Sequence, residues 1–387
     1  MYFVHPQIKF NIKNLINLLF CFIKKPNPRI FQKLEKMFPE KKLYFTDMGR
    51  SAFRLIVEEL KLQNSQMLVP AFICDVFYDI FKKYNITPIF LDIDKKTFNI
   101  APEEIEKKIT SQTKSILICH TYGLPANLEN VIGLANHNNL LVIEDCAHSF
   151  GAPYQSLRDV TGQAKYPKIY TGNFGNAAFF SIYKLFPTLR GGMAVLKMSN
   201  SKCQMSKTNF SLRDFVSLLN CFSFFSFLFK KFAGEIAPKY IRKEKLKEIG
   251  SLNRISQNIF SWQSKNLEET LEKRRKIALF FQTELKKMGF ETQISENNIF
   301  TFLSVLVPEN IDRDKFILRL REKGVFALRI WKEPIILNKE VQKEYGIDLS
   351  RFPNTVEVAK RVVNFPLQNF YTKKDIEKML RKIQLEL

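Results

Sequence analysis

The sequence has no hydrophobic run long enough to cross a bilayer. A spanning helix needs about 20 apolar residues, and the two most apolar stretches, "NLINLLFCFI" (14–23) and "FVSLLNCFSFFSFLF" (215–229), are shorter than that. No small-residue cleavage site follows the first, so it reads poorly as a signal peptide. The second runs into Lys230 and Lys231. It suits either a helix packed in a protein interface, which we take first, or an amphipathic segment in peripheral contact with a membrane. Cys-x-x-Cys spacing is also missing. Six scattered cysteines (Cys21, Cys74, Cys119, Cys146, Cys203, Cys221) give no zinc framework and fit free thiols in a reducing, cytoplasmic setting. No Gly-x-Gly-x-x-Gly follows a strand signal, which excludes the Rossmann fingerprint; "GNFGN" (172–176) is too short and precedes a strand. Acidic residues are scarce, 38 against 60 Lys and Arg, for a net charge of +22. Such an excess attracts phosphates, nucleic acid or anionic membranes. The plainer reading is that lysine stands in for other solvated residues. Without a nucleic-acid-binding signature, a nucleic acid partner is not expected.

What is present is globular: 45% hydrophobic and 25% charged residues over 387 positions, enough for two domains. Residues 1–44 read as an N-terminal arm. From about 45 to 197 strand and helix signals alternate: "QMLVP", "TPIFLDID", "SILICHTYG", "LLVIEDC", "NAAFFSIY" and "GMAVLKM" as strands, with "CDVFYDIFKKYN", "APEEIEKKI" and "NLENVIGLANHNN" as helices. That alternation predicts an α/β fold with a mostly parallel sheet. A large domain over 45–254 follows, with an atypical apolar insertion at 200–250. Residues 255–290 read as one long helix leading into a smaller α+β domain that completes 255–387.

Ligands of open α/β sheets bind beyond the C-terminal strand ends, and two strand tips here carry chemistry: "ICHTYG" (118–123) and "EDCAHS" (144–149). Cys119, His120, Cys146 and His148 offer metal-ligand types but not zinc spacing. Cys146 and His148, two residues apart, diverge on most backbones and make a poor nucleophile pair. A pyridoxal phosphate site asks for three things: a lysine for the Schiff base, a carboxylate on the pyridine nitrogen, and N–H groups with hydroxyls for the phosphate. The chain offers Asp145 at a buried strand tip, "GRSAF" (49–53) opening a helix, and "FSIYK" (180–184) with Ser181 and Lys184. Each signal alone is ordinary; their order is not.

That order resembles the DegT/DnrJ/EryC1/StrS sugar aminotransferases, pyridoxal 5′-phosphate enzymes of PLP-transferase fold type I. The matching pieces run from about residue 45 to the C-terminus: "GRSAF", "VPAFICDV", "PIFLDIDKKTFNI", "TKSILICHTYGLPANLENV", "VIEDCAHSFGAPY", "GNFGNAAFFSIYKLFPTLRGGMAV", "RRKIA" and "FPNTVEVAKRVVNFPLQ". The resemblance implies that Lys184 forms the Schiff base, that Asp145 pairs with the pyridine nitrogen, and that His148 contacts the phenolic oxygen. It implies that Ser181, with Gly49, Arg50 and Ser51, holds the phosphate. Asn253 in "SLNRIS" matches an asparagine reaching the phosphate from the neighbouring subunit of a homodimer. It implies transfer of nitrogen from an amino acid, glutamate, to a keto sugar, nucleotide-linked, for surface polysaccharide or amino-sugar synthesis. Related 3-dehydratases replace the lysine with histidine, so Lys184 points to transamination. Cys74 stands where a ring-stacking aromatic is common. Arg190 is either a phosphate or substrate contact or a solvated turn residue; Arg329 and Trp331 are candidates for the sugar pocket. Glu144 and Cys146 read as structural. Other readings are a diverged PLP-binding homologue acting as a regulator or dehydratase, or a basic binding protein.

Overall fold

A computed structural model describes residues 1–154, 169–197, 204–232, 248–294 and 296–387. Seven strands form the main sheet: β1 (Lys41–Thr46), β2 (Gln66–Pro70), β3 (Thr87–Leu91), β4 (Thr113–Cys119), β5 (Leu141–Asp145), β6 (Ala177–Ser181) and β7 (Gly192–Lys197), in the order β1-β7-β6-β5-β4-β2-β3. β3, β2, β4, β5 and β6 are parallel, and β7 runs antiparallel to both its neighbours. The central strands are apolar without alternation because both faces are covered: Ile116, Leu117, Ile118, Ala177, Ala178 and Phe180 are fully buried. Helices such as Gly49–Glu59 and Val76–Lys83 supply part of that cover through Phe53, Ile56, Phe77 and Phe81. The expected mostly parallel α/β sheet is therefore present. Its β1 begins at Lys41, so the last residues of the N-terminal arm belong to it.

A second, antiparallel sheet joins Glu291–Thr292, Leu303–Leu306 and Val362–Phe365. Helices Leu267–Lys287, Arg313–Glu322 and Lys373–Gln384 bury Phe281, Phe316 and Met379 in its core. Tyr2–Phe3 pairs in parallel with Val325–Phe326.

Two expectations change. Residues 255–290 are not one helix but two, Arg254–Gln263 and Leu267–Lys287. The Ser264 hydroxyl donates to the Phe260 carbonyl at 2.7 Å, a local bond that competes with the helical ladder. Asn266 then leaves helical geometry (φ −117°, ψ 52°), and Leu267 and Leu271 bury together against Gly151. The apolar stretch at 215–232 is likewise split, into Leu212–Asn220 and Ser223–Phe232, the first opened by a Ser211–Asp214 capping box. The parts of the insertion at 198–203 and 233–247 lie outside the described residues.

Candidate active site

The parallel ladders bring the tips of β4, β5 and β6 side by side: Cys119 lies opposite Asp145, and Asp145 opposite Phe179. Beyond β6 a single 3-10 turn, Ile182–Lys184, swings Lys184 back over the β5 tip. Its Nζ lies 3.0 Å from His148 Nε2. His148 Nδ1 accepts the Tyr122 backbone N–H at 3.2 Å, so the proton of the neutral imidazole sits on Nε2. Burial pushes the Asp145 carboxyl up, against the Lys184 charge and the Ala147 N–H that it accepts at 2.9 Å. Asp145, His148 and Lys184 thus converge.

Sequence reasoning missed what encloses His148. Tyr122 stacks on it at 5.6 Å, Trp331 at 5.3 Å, and Phe302 meets it edge-on at 5.1 Å. Tyr122 takes a left-handed backbone (φ 60°), which aims its N–H at His148. Its only sequence signal was a place in the strand-tip run "CHTYG". Burial, aided by the Lys184 charge, pushes His148 well below its ordinary value. The pH profile of kcat/KM is therefore expected to show no inflection from His148 near the ordinary histidine value of about 6.5; an inflection there that His148→Gln removes would contradict this geometry. Cys74 lies in the same pocket: burial pushes its thiol up to about 11, opposed by the Lys184 charge.

The helix Gly49–Glu59 begins with Met48 as its cap residue, which offers no side-chain cap. In its first turn the Ser51 and Ala52 N–H groups both donate to the Met48 carbonyl, at 3.1 Å. An added Cβ on Gly49 would lie 2.1 Å from Ser181 Oγ, and one on Gly192 2.3 Å from the Met48 carbonyl. Only glycine at these positions lets the helix start, with Arg50 and Ser51 in its first turn, sit against the β6 tip. Gly49→Ala is expected to weaken pyridoxal phosphate binding by about tenfold, roughly 1.4 kcal/mol, in a fluorescence titration. The cost of adding Ser181→Ala should not be additive, since the methyl of Gly49→Ala collides with the Ser181 Oγ that the second change removes; full additivity would show that the two residues act separately.

Other residues have structural places. His120 donates from Nε2 to Glu144 at 3.1 Å and accepts the Ala126 N–H at Nδ1. His120, Glu144 and Cys146 have ligand atoms within 4.8 Å of one another, but both His120 nitrogens are occupied and neither offers a lone pair to a metal. Arg190 pairs with the buried Asp214 and Ser211, tying the β6–β7 turn to the helix Leu212–Asn220. Arg329 lies 3.5 Å from Asp314. Asn253 caps the helix Arg254–Gln263, accepting the Ser256 N–H at 2.9 Å, while its buried Nδ2 has no partner among the described residues; the structure does not bring it into the Asp145–His148–Lys184 cluster of the same chain.

Residues 274–302 brace the Tyr122 turn from behind. Arg274, buried and pushed down to about 9 by that burial, donates to the Phe300 and Thr301 carbonyls. Phe302 N–H and Ile299 N–H in turn bind the Tyr122 and Gly123 carbonyls.

Comparison with known proteins follows the same lines. The DegT/DnrJ/EryC1/StrS aminotransferase family model matches residues 49–384. The chain is 34% identical to GDP-perosamine synthase of Escherichia coli O157:H7 over 171 residues, 42% of this chain and 44% of that protein. It is 26% identical to dTDP-3-amino-3,6-dideoxy-alpha-D-galactopyranose transaminase of Aneurinibacillus thermoaerophilus over 299 residues, 77% of this chain and 72% of that one. Its fold is similar to that of Helicobacter pylori PseC, an aminotransferase of pseudoaminic acid biosynthesis (TM-score 0.74, 15% identity, 100% of this chain and 98% of that one). It is similar also to E. coli GDP-4-keto-6-deoxy-D-mannose-3-dehydratase (TM-score 0.73, 16% identity, 99% and 100%). With a family model spanning nearly the whole chain and a lysine, an aspartate and a histidine meeting at adjacent strand tips, the chain belongs to the DegT/DnrJ/EryC1/StrS aminotransferase family of pyridoxal 5′-phosphate enzymes.

Proposed function

We propose that the chain transfers an amino group from an amino acid, glutamate, to a nucleotide-linked keto sugar, working as a homodimer with Lys184 as the amine that anchors the cofactor. The observation that carries this reading is the meeting of Lys184, His148 and Asp145 at the tips of β5 and β6.

The residues fit pyridoxal 5′-phosphate. Asp145 is a desolvated carboxylate, and a protonated ring nitrogen offsets the cost of its burial. Only glycine at position 49, where a Cβ would collide with Ser181 Oγ, lets a helix N-terminus suited to phosphate lie against Ser181. When bound, the cofactor supplies the electron sink for carbanion chemistry. The chain supplies the rest. Lys184 Nζ holds and moves the proton. His148 presents Nε2–H toward the lysine nitrogen and, by family resemblance, toward the phenolic oxygen. Tyr122 holds His148 in that tautomer, and Phe302 and Trp331 exclude water from it. The sugar nucleotides named for the relatives, GDP- and dTDP-linked, support a nucleotide-linked acceptor.

The test is the visible spectrum of the purified protein before and after glutamate. A yellow chromophore that bleaches, and returns on adding a keto-sugar nucleotide, supports the reading. A protein that stays colourless with added cofactor overturns it.

A further inference from the structure

The amino-transfer site leaves unexplained how the molecule's exposed apolar side chains are distributed. Among the described residues, seventeen large hydrophobics are exposed, and eleven of them fall in two adjoining segments, 10–23 and 212–225. In the helix Ile12–Ile23 they are Ile12, Ile16, Leu19, Phe20 and Ile23, from 45% to 76% exposed. This spacing puts all five on one face. The opposite face is seated: Leu18 and Cys21 are buried with Leu218, Phe222 and Ile259. The helix end is tied down by Asn258, which donates to the Cys21 and Lys24 carbonyls, and by Arg254, which donates to that of Phe22. The outward stripe is thus held in place, and among the described residues nothing covers it. Leu212, Phe215 and Val216 extend the apolar surface on the next helix, and Phe10 packs edge-on against Phe222 between them.

The exposed charge of these described segments is of one sign. No Asp or Glu occurs in residues 1–34. The one acid in 204–232, Asp214, is buried against Arg190. Lys9, Lys13, Lys24, Lys25 and Lys207 are exposed, and the Lys24 ammonium lies 4.4 Å over the Phe20 ring. A self-complementary dimer through this face would set lysine against lysine. An anionic bilayer surface instead offers hydrocarbon to the stripe and headgroup charge to its rim. At twelve residues the helix is far too short to span, so the contact it makes is flat.

We infer that the outward face of the helix Ile12–Ile23, with the adjoining Leu212–Asn220 helix, docks this enzyme peripherally on an anionic lipid surface.

The test is co-sedimentation of the cofactor-loaded protein with phosphatidylcholine vesicles, with and without phosphatidylglycerol. Binding is expected to be at least about tenfold stronger to the anionic vesicles and to fall several-fold as salt rises from about 0.1 to about 0.5 M. Ile16→Glu/Leu19→Glu, at exposed positions, should abolish binding while melting temperature and amino transfer stay unchanged. Lys24→Gln/Lys25→Gln, which keeps the apolar stripe, should weaken binding and flatten its salt dependence. Equal binding to both vesicle types, or none to either, overturns the inference. So does a drop in oligomeric mass for Ile16→Glu/Leu19→Glu in sedimentation equilibrium, which would assign the face to a second copy.

Discussion

Lys184→Ala is expected to lower amino transfer by at least about three orders of magnitude, because it removes both the anchoring amine and the group that moves the proton. The measurement is turnover of a keto-sugar nucleotide with glutamate, beside a thermal melt. Lys184 lies in the turn after β6, half-buried, and its one direct polar contact described above is with His148. Its loss should leave the fold intact and the melt nearly unchanged, unlike a core substitution. The variant should still bind pyridoxal phosphate through Asp145 and the helix start beside Ser181, but dialysis should now remove it. If Lys184→Ala keeps more than about a tenth of the activity, another amine does the chemistry and the assignment is wrong.

The second large effect falls on stability. Glu144, beside Asp145 and wholly buried, accepts the backbone N–H groups of Gly172 at 2.7 Å, Phe174 at 2.8 Å and Gly175 at 2.7 Å, together with His120 Nε2–H. One carboxylate therefore organises the loop that feeds β6 and ties it to the β4 tip. Glu144→Ala strands these donors without solvent and should cost on the order of 3 kcal/mol or more, read from the urea midpoint. Burial works to raise the Glu144 carboxyl, but the His120 N–H and the Gly175 and Gly172 N–H groups outweigh it, and the group is held below its ordinary value. A depressed folded value means that the contribution is complete above the unfolded carboxylate range, about 4.3, and is lost as pH falls through the folded value. Glu144→Gln should accordingly flatten the acid limb of the stability profile; an unaltered limb would show that other carboxylates govern it.

Much of this arrangement was legible before any coordinates. The central strands announced themselves because burial on both faces leaves no room for polar alternation. Asp145 drew notice as an acid closing such a run. Ser181, Lys184 and Gly49 are ordinary residues taken singly, and only their order along the chain marked them. The neighbours of His148 were not legible. Tyr122 earns its place through a left-handed backbone angle that tyrosine seldom adopts, and Trp331 arrives from nearly two hundred residues away. Local pattern carries no record of such a meeting. The helix break at Ser264–Asn266 escaped for a related reason: the apolar spacing continues through it, and only the demand to bury Leu267 and Leu271 beside Gly151 decides against continuity. Glu144 read as structural from the start, yet which backbone groups it gathers depends on a loop thirty residues on.

The pairing of Tyr2–Phe3 with Val325–Phe326 has a consequence for how the chain is made. Gln368 donates to the carbonyls of Phe3 and His5 and accepts the Gln7 N–H. At ribosomal speeds of about 5–20 residues per second, some twenty seconds to over a minute separates the emergence of these first residues from that of their glutamine. Throughout that interval the carbonyls of Phe3 and His5 lack the glutamine that binds them, although Gln7 and Ile8 can already meet Asn220, Cys221 and Ser226.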